Sequence, residues 1–93
     1  MCRNIRVLHH FEPPTTPEEI RAASLQYVRK VSGVPKPSRE AEAAFARAVD
    51  RVAAATTALL QALPPRGEPR TREREREKAQ QRWTRREQAR KPA

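Results

Sequence analysis

The residue types best suited to chemistry gather at the start of the chain. Cys2 is the only cysteine in 93 residues, and His9 and His10 are the only histidines. A thiol acts as a nucleophile in its thiolate form, which Arg3 and Arg6 nearby favour. Initiator methionine is normally removed ahead of a small residue. That would leave Cys2 beside a free α-amine with a pKa of about 7.7–8. Such an amine can serve as base for its own side chain, as in N-terminal nucleophile enzymes. Amidotransferases of the N-terminal-cysteine type and abasic-site crosslinking proteins begin this way. The chain is far too short for either fold and carries Arg3 where they carry glycine. The competing reading makes Cys2 a small buried hydrophobe or an inert thiol.

Metal binding is limited by the ligand count. Cys2, His9 and His10 supply three ligands, and a structural zinc site needs a fourth from a carboxylate or a second chain. In an extended arm, alternation puts Cys2 and His10 on one face and His9 on the other, so the two imidazoles diverge. No metal and no cofactor are expected. Cys2 remains the one candidate catalytic residue.

A second set of candidates is basic. Val31-Ser32-Gly33-Val34 faintly resembles the turn of helix-hairpin-helix modules, which hold DNA phosphates with backbone N–H groups. The second glycine of that pattern is absent, and Pro35 and Pro37 remove two N–H donors. Arg29, Lys30, Lys36 and Arg39 flank the turn and suit phosphate contacts. Their bland reading is a glycine-capped turn with solvated basic flanks. Trp83, alone among arginines, can stack on a base; the alternative is weak docking of its own segment. No Ser-His-Asp set, glycine-rich phosphate loop or HExxH motif is present.

The charge distribution fits a polyanion partner. The net charge is +9. Residues 1–65 hold nine Lys/Arg against six Asp/Glu, whereas residues 66–93 hold eleven against five. The excess therefore belongs mainly to the C-terminal segment, and it drives non-specific attraction rather than specificity. A single cysteine suits a reducing compartment. The first residues lack the apolar run of a signal peptide. Residues 52–65, the longest uncharged stretch, fall short of the roughly 20 residues of a membrane span. A cytoplasmic, soluble protein with no membrane partner is expected.

The elements that position these residues are mostly helical. Residues 1–14 read as an extended arm ended by Pro13-Pro14. Thr16-Pro17-Glu18-Glu19 is a capping box with proline at the first helical position. Ile20, Ala23, Tyr27, Val28 and Val31 make an apolar stripe, and Gly33 ends the helix. A second helix is predicted from an N-cap at Ser38 to Pro64-Pro65. Ala41, Ala44, Phe45, Ala48, Val49, Val52, Ala55, Thr56, Leu59, Leu60 and Leu63 line one side of it. The short connection implies antiparallel neighbours, with Ile5, Val7, Leu8 and Phe11 of the arm laid across them. The core is small enough that a homodimer is a candidate means of completing it. Residues 66–93 lack an apolar stripe and read as a fraying helix or disorder.

MCRNIR at 1–6, FEPP at 11–14, EEIRAA at 18–23, QYVRKVSG at 26–33, KPS at 36–38 and EAAF at 42–45 together resemble the bacterial DUF2277 family over residues 1–63. That family usually carries Asn after the first histidine, where this chain has His10. The resemblance implies a small helical bacterial protein and no particular activity. The expected fold is all-α: an antiparallel two-helix hairpin over residues 1–65 with an N-terminal arm, followed by a basic tail over 66–93. Three functional classes follow. The first is a non-enzymatic nucleic-acid-binding module using Arg29, Lys30, Lys36, Arg39 and Trp83. The second is a thiol enzyme or redox sensor centred on Cys2. The third is a protein-interaction module.

Overall fold

The capping box predicted at Thr16 forms in full and fixes the start of the first helix. In the computed structural model, which describes residues 4–90, α1 spans Pro17–Ser32. The Thr16 hydroxyl accepts from the Glu19 N–H at 3.2 Å, and the Glu19 carboxylate accepts from the Thr16 N–H at 2.9 Å. Gly33 closes the other end at φ 69, the left-handed region open to a residue without Cβ.

The second helix, α2, spans Glu42–Ala62, so it begins later than the Ser38 cap predicts. Ser38 starts a tight turn instead, its carbonyl accepting from the Ala41 N–H at 3.0 Å. Helical bonding starts with Phe45 N–H to the Ala41 carbonyl at 2.9 Å, and no side chain caps this end. At the other end Leu63 turns to ψ 129, as a residue before proline must.

α1 and α2 pack against each other. Their direction is antiparallel: Pro17 and Ile20 share a groove with Thr57, Leu60 and Gln61, and Arg21 pairs with Asp50 at 2.8 Å. The buried hydrophobic residues are Leu8, Phe11, Ile20, Val28 and Val49, with Ser24 beside them. Ser24 fits in this company because its hydroxyl donates to the Ile20 carbonyl at 2.8 Å. The buried row of α1 is therefore Ile20, Ser24 and Val28, a spacing of four. Tyr27 and Val31 are expected in the core and are exposed: Tyr27 falls about 60° to one side of Ser24, whereas Val31 is in line with the row but in the last turn of α1, beyond its last buried position. Phe45 is half-buried.

Of the arm's four apolar residues, Leu8 and Phe11 are buried while Ile5 and Val7 face outward. The arm runs back along α1: the Asn4 N–H donates to Gln26 Oε1 at 2.9 Å, and Arg6 reaches Glu19 at 3.0 Å. The Glu12–Pro13 peptide is cis. His10 sits at φ 58, a left-handed position that Asn, the usual residue there in the resembling family, enters more readily than most.

The expected two-helix hairpin needs correction. A third helix, α3, spans Arg72–Arg90, so of the two readings of that segment, a fraying helix or disorder, the structure has the helix. Thr71 caps it: its hydroxyl accepts from the Arg74 N–H at 3.2 Å, and its carbonyl from the Glu75 N–H at 3.1 Å. The architecture is all-α, with three helices and no strand among the described residues. No helix among them is long and apolar enough to cross a membrane.

Candidate nucleic-acid interface

The approach to α3 is held by polar contacts rather than by an apolar stripe. One parallel bridge joins the arm to the segment ahead of the helix. The Arg70 N–H donates to the His10 carbonyl at 2.7 Å, and the Glu12 N–H donates to the Arg70 carbonyl at 2.9 Å. The Arg70 guanidinium adds a bond to the His9 carbonyl at 2.8 Å. Both histidines serve the same junction. His9 Nε2 donates to the Leu63 carbonyl at 3.3 Å and His10 Nε2 to the Gly67 carbonyl at 3.0 Å. Strict alternation predicts diverging rings. The left-handed turn at His10 breaks that alternation, so both rings reach the 63–67 segment, 6.0 Å apart.

Arg72 is the strongest link. Its Nη2 and Nε donate to the two oxygens of Glu19 at 2.6 and 3.0 Å. Nη1 and Nη2 also donate to the carbonyls of Pro13 and Pro14 at 2.8 and 3.1 Å. The guanidinium carbon lies 5.4 Å from the centroid of the Phe11 ring, within cation–π range. This forked geometry is specific to arginine. Its consequence shows in Glu19: the Arg72 hydrogen bonds, helped by the Thr16 N–H and Arg6, outweigh partial burial and lower the carboxyl to about 2.

Beyond this clamp α3 is free. It packs on neither α1 nor α2, and none of its residues is buried. At 1.5 Å per residue its 19 residues extend roughly 28 Å. Charge is graded along it. Residues 72–77 alternate three arginines with three glutamates, whereas residues 78–90 carry Lys78, Arg82, Arg85, Arg86 and Arg90 against Glu87 alone. Arg82, Arg86 and Arg90 follow at intervals of four and so share one face. Trp83, 52% exposed, borders that face, three residues before Arg86 and seven before Arg90.

The remaining candidates lie elsewhere. Arg29 and Lys30 occupy the last turn of α1 and line a groove of about 490 Å³ with Asn4, Gln26 and Gly33. Lys36 and Arg39 are exposed in the α1–α2 connection. Among the described residues none of these four forms an ion pair. Trp83 is on a helix that starts from the opposite end of the pair, so two separate basic surfaces result. Cys2, the candidate nucleophile, lies outside the described residues. No group of three or more His, Cys, Asp or Glu suited to a metal occurs among the described residues.

Sequence reasoning missed Arg70 and Arg72. Thr71 followed by Arg72-Glu73 carries a local helix-start signal. The partner of Arg72 is 53 residues away, and no local pattern reveals it.

The family model for "Uncharacterized conserved protein (DUF2277)" matches residues 1–78. The chain belongs to the DUF2277 family. The match extends past the 1–63 expected from motifs and takes in Arg70, Arg72 and the first turns of α3. No curated protein and no solved structure matches the chain. Within this DUF2277 chain, the basic distal half of α3 falls mostly beyond the family match.

Proposed function

We propose that this protein is a non-enzymatic nucleic-acid-binding module whose main contact is the distal half of α3. The observation that carries this reading is a helix tied to the body only at its first turn, exposed beyond it, with five cations and one acid around an exposed Trp83. An apolar partner helix has no stripe to meet there. A phosphate backbone meets both the arginine row and the overall +9 charge. Trp83 supplies a stacking surface, which suits unpaired bases better than a closed duplex. Arg29, Lys30, Lys36 and Arg39 form a second basic surface that a longer strand can reach.

The test titrates the full chain with labelled single-stranded and duplex oligonucleotides across a salt series. Four or five phosphate contacts predict a log–log salt slope of about −3 on single strands. Trp83 is the only tryptophan, so quenching of its emission reports stacking directly. Trp83→Ala is expected to weaken single-strand binding by about 1–3 kcal/mol. Binding that ignores salt, or emission unchanged at saturation, overturns the reading.

A further inference from the structure

We propose that the groove on the outer side of α1, between Asn4 of the arm and Pro35, is a binding site for one nucleotide, with its phosphate on Arg29 and Lys30 and its base against Leu25. The inference rests on the nucleic-acid reading for the class of ligand, and it gives the second basic surface a defined site of its own.

Two elements build the groove. Ala22, Gln26 and Arg29 lie about 140–160° around α1 from buried Ser24, so they sit on the side turned away from the core. The arm crosses this side: the Asn4 N–H donates to Gln26 Oε1 at 2.9 Å, and Arg6 pairs with Glu19 at 3.0 Å. The groove encloses about 490 Å³, within the range of small-ligand sites. Ala22, Leu25 and Pro35 supply apolar surface, Asn4 and Gln26 bring two amides, and Arg29 and Lys30 bring two positive charges. Among the described residues no acid lines it.

The two cations are available to a ligand. Neither forms an ion pair among the described residues. The end of α1 is capped without them: the Arg29 carbonyl accepts from the Gly33 N–H at 3.0 Å, and the Val28 carbonyl from the Ser32 hydroxyl at 2.6 Å. A helix C-terminus carries about half a negative charge, which two full cations outweigh. The groove therefore favours an anion, and both side chains suit phosphate.

Gln26 bears on what accompanies the phosphate. A backbone N–H can only donate, so the Gln26 atom that meets Asn4 is the oxygen, and the amide is fixed in orientation. Its NH2 group makes no hydrogen bond among the described residues and is left for a ligand. Fixed donors beside apolar surface match a base, whose edge carries ring-nitrogen and carbonyl acceptors and whose faces are flat and apolar. An acyl chain would desolvate the amides without pairing them. Phosphate alone would leave the apolar surface in water. A nucleotide meets all three surfaces.

Chemical-shift titration of the isotopically labelled full chain with a nucleoside monophosphate tests this. Saturable shifts are expected at the Gln26 side-chain NH2 and at the Asn4 and Gly33 N–H groups. The parent nucleoside and inorganic phosphate, titrated separately, are each expected to bind at least about tenfold more weakly. Gln26→Glu keeps an oxygen for the Asn4 N–H and replaces the NH2 by a negative charge. The arm then stays in place while affinity falls at least about tenfold. Arg29→Ala with Lys30→Ala is expected to lower it by as much. Trp83→Ala leaves it unchanged, so a failure of α3 to bind a strand and a failure of the groove are read separately. A trinucleotide bound more tightly than the monophosphate assigns the site to a strand, and one bound more weakly assigns it to a free nucleotide. The proposal is overturned by the absence of saturable shifts at these groups, or by nucleoside or phosphate alone binding as tightly as the monophosphate. A Gln26→Glu chain that binds as well as the unsubstituted one overturns it equally.

Discussion

Glu19 accepts hydrogen bonds from three directions: its own helix cap at Thr16, Arg6 of the arm, and Arg72 of α3. The carboxylate thus joins segments that are remote in sequence. Its titration gives a direct test. The folded pKa is lowered from 4.5 to about 2, so ionised Glu19 favours the native state. The contribution is complete above the unfolded pKa and is lost as pH falls from about 4.5 toward 2. Glu19→Gln is expected to cost about 1–2 kcal/mol at neutral pH, since part of the clamp is open to solvent. Its difference from the unsubstituted chain in urea midpoint should shrink steadily below pH 4.5 or so. A difference constant from pH 7 to pH 2.5 would show that the clamp contributes nothing through its charge.

Local signals made some elements legible and long-range partners hid others. The first helix could be read almost to the residue, because its capping box, first-turn proline and terminal Gly33 all act within four residues of where they stand. The choice of buried face was harder. Ser24, its hydroxyl bonded to its own helix, is buried, whereas Tyr27 lies to one side and is exposed. The start of α2 slipped because the Ser38 turn closed first. The order of residues 66–72 was not legible at all, since the acceptors of Arg70 and Arg72 lie in the arm and α1. Those contacts predict a difference between two truncations. A chain ending at residue 65 loses the bridge, both arginines and the Gly67 carbonyl. A chain ending at residue 78 keeps them. The shorter chain is expected to be less stable by about 2–4 kcal/mol, from several buried or charge-assisted hydrogen bonds lost together. Chemical denaturation of the two, followed by helix signal, measures it. Equal stabilities would make the clamp incidental to the fold.

At the scale of the whole molecule, charge and shape act together. The chain, α3 included, spans 53 Å in its longest direction, and its two basic surfaces lie apart, one on distal α3 and one around the α1–α2 connection. Each alone offers a short row of cations, which gives weak, salt-sensitive contact. Two held on one scaffold convert the second contact into an intramolecular event, provided the strand is long enough to reach both. Strand length therefore separates their effects. On an oligonucleotide of about 8 nucleotides only the α3 surface engages, and Lys36→Glu with Arg39→Glu is expected to change affinity by less than about twofold. On one of about 40 nucleotides, the same pair of substitutions is expected to lower affinity by roughly tenfold or more, because it removes the second contact without touching the first. Trp83→Ala is expected to weaken both lengths. If the Lys36 and Arg39 substitutions leave the long strand as tightly bound as before, the second basic surface takes no part and the two-surface arrangement fails.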